Sequence, residues 1–276
     1  MEPFVLQNPT HFVIEKWMSQ FPGLVAGMTT KNEGFSKGEF KSLNLGFHVG
    51  DNLCDVVSNR QKVSENIQFP LEYWVGAEQT HHHVIQKVKK VDRGKGATNY
   101  EESYKGIDGF YTDETGILLT LCYADCVPLF FIAPMKRMIG LAHAGWKGTT
   151  KEIAKQMIEL WKGEGIPPEE IFVVIGPSIC KKCYIVNKYV IDIVQKILVD
   201  VEKKPYNLFQ EDQYFLDLRE LNRLLLRKAG VPEQNIAVTE YCSSCHENEF
   251  FSHRRDKGKS GRMLSFIGWK EDSSYL

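Results

Sequence analysis

The sequence predicts an α+β chain of mixed β-sheets flanked by helices, read as a single domain over residues 1–276. Three observations predict it. Helical and strand patterns alternate irregularly, with strand following strand in places, which disfavours a doubly wound parallel sheet. A hydrophobic content of 43% over 276 residues supports a large core. No glycine-rich loop of the dinucleotide or nucleotide-triphosphate type follows any strand, so those classes fall away.

The elements follow from period and punctuation. Short apolar runs read as strands: "GLVAGMTT", "YWVGAEQ", "HVIQKV", "IDGFYT", "LTLCYADCVPLFFI", "MIGLAHA", "IFVVIGP", "IAVTEY" and "GRMLSFI". The stretch "GDNLCDVVSNRQKVSENIQFP" reads as a helix with Asp51 as N-cap and a proline stop. "GTTKEIAKQMIELWKGEG" places Ile153, Met157, Ile158 and Trp161 on one face. "NKYVIDIVQKILVD" and "DLRELNRLLLRKAG" are helical too, the second with Asp217 as cap and Gly230 as stop. The charged, glycine-containing segment 89–106 reads as a loop excursion, solvated or lying over a site.

Composition narrows the function classes. A net charge of −1 gives no electrostatic case for nucleic acid or membrane as partner. No apolar run is long enough to span a bilayer, and the N-terminal residues lack a basic-then-apolar secretory pattern. Seven cysteines, an odd number, argue for a reducing, cytoplasmic setting without a disulfide framework.

The strand 119–132 breaks strand rules, because Asp125, Cys126 and Pro128 sit in its middle. A buried carboxylate is costly unless paired, and proline removes a ladder donor. Cys126 ends one apolar run and His143, flanked by Ala142 and Ala144, ends the next, so a hairpin return would join them. A thiolate with two imidazoles is a zinc-binding set, and three protein ligands leave a catalytic fourth position where bound water has a pKa near about 7. Asp125 would then orient the ligands or bind backbone amides. "CKKC" (Cys180, Cys183) and "CSSC" (Cys242, Cys245) are two further pairs. The 58 residues from 184 to 241 between them far exceed the about 15–20 of a zinc ribbon, which argues against one shared site. Cys126 as nucleophile with His143 as base would instead give a cysteine hydrolase. Arg254, Arg255 and Arg262 near two phenylalanines, with Lys147 and Arg60, are candidate anion ligands.

The segments "SLNLGFHVGD…NR", "QTH", "DGFYT", "ADCVP", "AHAGWKG", "GPSICKKCY" and "FFSHRRDKGKSGRM" occur in that order. They resemble the YfiH/YlmD family, closest to its YlmD branch, from about residue 24 to 268. That family carries the labels laccase-domain and multicopper polyphenol oxidase and is assigned as purine nucleoside phosphorylases. The resemblance implies a YfiH-like fold and a zinc ion, with copper possible, held by His81, Cys126 and His143. It implies phosphorolysis of adenosine, inosine, guanosine and 5′-methylthioadenosine, accompanied by adenosine deamination. Purine nucleosides and phosphate are then the partners, and a monomer or weak homo-oligomer the expected state. Asn44, Arg60, Gln79, Lys147, Arg254 and Arg255 are the expected substrate-binding residues, with phosphate near Arg60, Arg254 or Arg255. Asp125 and Asp108 are the candidates for the proton shuttle. Lys147 stands where the family commonly has arginine, and His253 where it has tyrosine. Eight histidines, three adjacent, are too few for a full multicopper set, leaving a single blue-copper centre with Met138 axial as the copper alternative.

Overall fold

The computed structural model describes residues 1–199 and 203–271. Two six-stranded sheets face each other. The first runs, in spatial order, Phe4–Asn8, His11–Ile14, Leu24–Thr29, Met263–Trp269, Ile117–Tyr123 and Trp74–Val75. The second runs Ile236–Val238, Phe172–Ile175, Val127–Ala133, Met138–Ala144, Gly109–Thr112 and Ile85–Lys87. Both are mixed: the Trp74–Val75, Ile85–Lys87 and Ile236–Val238 pairings are parallel and the others antiparallel. Among the described residues no helix is long and apolar enough to cross a membrane.

Near-continuous apolar strands are explained by burial on both faces. In Val127–Ala133, residues 127, 129, 131 and 133 pack under the helices Ile153–Gly163, Lys188–Ile197 and Leu218–Lys228. Phe130 and Ile132 point the other way, between the sheets, against Leu119, Leu121 and Ile267. The outer face of the first sheet, with Leu118 and Phe266, is covered by the helix Leu53–Ile67 through Val63 and Ile67. The result is four layers, helix–sheet–sheet–helix. Each large apolar side chain so buried contributes roughly 1.5–3 kcal/mol.

Several expectations shift. The run 119–132 is not one strand: Ile117–Tyr123 belongs to the first sheet and Val127–Ala133 to the second. Ala124, Asp125 and Cys126 are the corner between them, with Asp125 at φ 86°. Polar residues sit there because the chain is changing sheets. Gly176 N donates to Pro128 O, and the ladder with Phe172–Ile175 ends beside the donor that proline lacks. The N-cap of Leu53–Ile67 is Asn52, whose Oδ1 accepts from Cys54 N and Asp55 N. Asp51 instead accepts from Ser36 Oγ and Asn44 Nδ2. The predicted helix from 148 is broken at Glu152 (φ 58°) into Trp146–Thr150 and Ile153–Gly163. Segment 89–106 is tied into the fold, and its Gly96, Tyr100 and Ser103 line a cleft. Tyr104–Lys105 pairs with Ala77–Glu78, and Gly96 O and Ala97 O accept from the buried Arg60.

Candidate metal centre

The antiparallel hairpin Val127–Ala133/Met138–Ala144 sets Val127 opposite Ala144 and Pro128 opposite His143. Cys126, one residue before the hairpin, therefore lies beside the end of the strand that carries His143. Gly145 follows, and a Cβ built there would meet Cys126 Sγ at 2.8 Å and His81 Cδ2 at 3.3 Å. Glycine is what lets the thiol and the second imidazole come together at that point. His81 reaches the same spot from a turn, at φ 60°. One donor atom each of His81, Cys126 and His143 falls within 4.8 Å of the others. The three adjacent histidines are thereby separated. His82 Nδ1 turns to Lys151 Nζ at 2.9 Å, and His83 Nδ1 is buried without a hydrogen-bond partner among the described residues.

Asp108 organises this cluster. It is fully buried and accepts from His82 N (2.7 Å), His81 N (3.0 Å) and Thr80 N (3.2 Å). Its Oδ1 also lies 2.8 Å from His143 Nδ1. That bond leaves His143 Nε2 as the nitrogen free for a ligand, the carboxylate–histidine arrangement that fixes a metal-binding tautomer. Burial pushes the Asp108 carboxyl up, but the His143 bond and charge and the backbone N–H groups outweigh it and hold it below the usual range. Burial raises the Cys126 thiol, and the charges and hydrogen bonds of His143 and His81 reverse this, bringing it down to about 6. Burial lowers His143, while the Cys126 thiolate and Asp108 lift it to about 9. A thiolate donor and an oriented imidazole suit zinc. His81 is exposed and Cys126 half-buried, so the ligand set faces solvent on one side.

The residues expected around this centre fall into two groups. Asp125, expected as a shuttle, has both oxygens engaged: Ser243 Oγ donates to one and Arg254 N to the other, each at 2.6 Å. It anchors backbone, and the ligand-orienting carboxylate is Asp108. Asn44 is fully buried and touches no open space; its Oδ1 accepts from Gly46 N and Arg262 N. Gln79 clamps the Cys122 backbone, donating to its carbonyl and accepting from its N–H. Arg60, also buried, donates to Leu45 O, Gly96 O and Ala97 O. Arg255 commits its guanidinium to Asp256, Ser243 O, Ser244 O and Phe250 O. These four hold the walls and have little left for phosphate.

Lys147 and Arg254 remain exposed. Lys147 lies two residues beyond Gly145, with Nζ 5.7 Å from the Trp146 ring centre. Arg254 lies 5.0 Å over the Tyr184 ring and donates to Ile185 O. Two residues rank higher here than their sequence context suggested. Arg262 Nη1 bonds to carbonyls of its own turn, while Nε and Nη2 have no acceptor among the described residues. It lies within electrostatic range of Cys126 and Asp125. Gly46 gives its stem room, since a Cβ there would come within 2.7 Å of Arg262 Cγ. His48 shares a narrow cleft with Phe47, Tyr100 and Cys122. Its position before a helix, in a polar-apolar mixed segment, was the available signal; for Arg262 it was the "GKSGRM" turn. Met138, the axial candidate for copper, sits at the far end of its strand from His143, about 17 Å along it. It packs under the helices and cannot reach the centre.

Fold and site together define an α+β protein with a solvent-facing thiolate–bis-imidazole centre at the seam of two sheets. The chain belongs to the YfiH/YlmD family: the family model described as multi-copper polyphenol oxidoreductase laccase matches residues 25–270. It is 53% identical over 253 residues to purine nucleoside phosphorylase YlmD of Geobacillus stearothermophilus, covering 91% of this chain and 92% of the relative. It is 46% identical over 273 residues to purine nucleoside phosphorylase YlmD of Bacillus subtilis, covering 98% of each. The crystal structure of YlmD from Geobacillus stearothermophilus superposes with a TM-score of 0.95 at 49% identity, covering 98% of this chain and all of that one.

Proposed function

We propose that this protein is a zinc-dependent purine nucleoside phosphorylase that also deaminates adenosine. The substrates are adenosine, inosine, guanosine and 5′-methylthioadenosine. The observation that carries the reading is the convergence of His81, Cys126 and His143 in a chain this similar to proteins named purine nucleoside phosphorylase. In phosphorolysis a phosphate oxygen bonds to C1′ while the C1′–N9 bond breaks. The electron pair stays on the purine, which takes up a proton. Positive charge develops on the ribose and negative charge on the base.

The chain's own residues serve this as follows. His81, Cys126 and His143 would hold the ion, and Asp108 keeps His143 in the tautomer that presents Nε2. A bound zinc ion supplies Lewis-acid polarisation of whatever occupies its open side. Arg262, with Arg254 and Lys147 on the rim, offers positive charge for a phosphate dianion. Phe47 and His48, with ring centres 6.4 and 6.0 Å from that of Tyr100, offer with it an aromatic wall for a purine face. Asn44 acts through the Arg262 backbone, and Gln79, two residues before His81, acts through the Cys122 backbone. A cytoplasmic setting agrees with seven free cysteines.

One incubation decides between this and its rival. Adenosine and phosphate are supplied with and without a zinc chelator, and adenine, inosine and hypoxanthine are resolved. Phosphate-dependent, chelator-sensitive adenine supports the reading; no conversion at any zinc loading overturns it. The Cys126–His143–Asp108 order also matches a cysteine hydrolase. That reading requires activity that survives chelation and is abolished by iodoacetamide at Cys126.

A further inference from the structure

The two CxxC pairs do converge, against the expectation from their spacing. The sulfurs of Cys180, Cys183, Cys242 and Cys245 all fall within 4.8 Å of one another. Cys183 Sγ to Cys245 Sγ is 3.4 Å and Cys180 Sγ to Cys245 Sγ is 3.9 Å. Sulfurs placed tetrahedrally at 2.3 Å from a shared zinc ion stand about 3.8 Å apart. The spacing argument failed because a zinc ribbon is one route to four thiolates. Here the pairs arrive on separate loops, brought together by the parallel bridge Ser178–Cys242 and by Ser243 N donating to Ser178 O.

Backbone donors point at the cluster. Cys180 N and Cys245 N both donate to Cys242 Sγ, at 3.2 and 3.4 Å. These two bonds hold the Cys242 sulfur in place at the back of the cluster. Cys183 N donates to Cys180 O, closing the tight turn that aims both sulfurs of the first pair one way. Cys242 is buried while Cys245 is exposed, so an ion would have a closed back and an open entry. Among the described residues no histidine or carboxylate joins the group, and four soft thiolate ligands select zinc or iron.

We propose that Cys180, Cys183, Cys242 and Cys245 form a second, structural zinc site that clamps the two loops gripping Asp125, the residue beside Cys126. The connections are short. Ile179, next to Cys180, donates to Asp125 O. Ser243, next to Cys242, donates to Asp125 Oδ1. Arg255 holds Ser243 O and Ser244 O, and Arg254 N caps the other Asp125 oxygen. An ion on the four sulfurs thus fixes both sides of the corner that presents the Cys126 ligand. With four protein ligands it leaves no open position and has no part in turnover. The site stands apart from the phosphorolysis reading and is tested without substrate.

The experiment measures zinc per chain by mass spectrometry of the metal, on full-length protein purified with reductant. The wild type is expected to hold two zinc ions. Cys126→Ala removes a ligand of the first centre and is expected to keep one. Cobalt loaded into that variant should give the intense visible bands of a tetrahedral tetrathiolate. Cys180→Ser/Cys245→Ser should also hold one zinc ion and melt at lower temperature. If this double variant does not fold, the wild-type stoichiometry and the cobalt spectrum of Cys126→Ala still decide. A Cys126→Ala protein free of zinc, one holding iron at these sulfurs, or a Cys183–Cys245 disulfide in protein purified under reducing conditions overturns the proposal.

Discussion

Asp108 Oδ1 lies 2.8 Å from His143 Nδ1 while the same carboxylate accepts the N–H groups of His81 and His82. One buried side chain therefore sets the orientation of two of the three donors. Asp108→Asn replaces an acceptor with a donor facing those N–H groups. Zinc affinity should fall about ten- to a hundredfold. Competition against a chelator of known affinity measures it, and an unchanged affinity would show that the ligands are held by other means.

Gly145 tests the same centre from the other side. Its φ of −65° suits any residue, so Gly145→Ala carries no backbone strain. The added methyl, however, would sit 2.8 Å from Cys126 Sγ. The variant should fold with a melting temperature close to wild type and yet bind zinc at least about tenfold more weakly, the range seen when a ligand's support is removed. A variant that keeps full zinc affinity would mean the corner can yield.

Arg60 and Arg262 should separate stability from substrate binding. Arg60 is buried with three backbone carbonyls as partners, and each charge-assisted bond is worth about 1.5–3 kcal/mol. Arg60→Met should lower the unfolding midpoint in urea by an amount equivalent to about 3 kcal/mol or more, with KM for phosphate in the folded enzyme little changed. Arg262→Met should do the reverse, raising KM for phosphate about tenfold, or about 1.4 kcal/mol, while stability changes little. If Arg60→Met alone raises KM, phosphate sits nearer the Gly96 loop than Arg262.

His11 gives a pH dependence remote from the centre. It is almost fully buried, stacked edge-on to Phe266 with Nδ1 3.1 Å from Thr10 Oγ1. Burial lowers its pKa from 6.5 to about 4. The fold keeps it neutral, so the unfolded chain binds the extra proton between those values. Stability should therefore fall as pH drops from 6.5 to 4, by roughly 3 kcal/mol from this residue, and level off below. In His11→Asn, melting temperatures across that window should decline less steeply. An identical slope in the variant would assign the loss to other groups.

Much of this was legible in sequence, for identifiable reasons. Apolar runs bounded by turn residues marked Leu24–Thr29, Met138–Ala144 and Met263–Trp269 because those strands are buried on both faces. Cys126 and His143 were legible because each interrupts an apolar run at its end. The N-terminal hairpin Phe4–Asn8/His11–Ile14 was not read, since its outer strand is half polar. The break at Glu152 was hidden because an amphipathic period continues across it. The structural partners of Asn44, Gln79, Arg60 and Arg255 were not legible for one physical reason. A polar side chain in a motif looks the same in sequence whether it meets substrate or satisfies a buried carbonyl. Only the partner distinguishes them, and here the partners are Arg262 N, Cys122, Leu45 O and Ser243 O.

The chain passes from Tyr123 in one sheet to Val127 in the other through three residues. A passage that short has no slack. Adding or deleting a single residue between them would invert the strand that follows, turning Phe130 and Ile132 outward to the helices and Leu129 and Phe131 inward. The same slip would carry the sulfur of residue 126 away from His143. Segment length at this point is thus under double constraint, from the oil of the interior and from the donor cluster at its margin, and tolerated insertions should cluster anywhere but here.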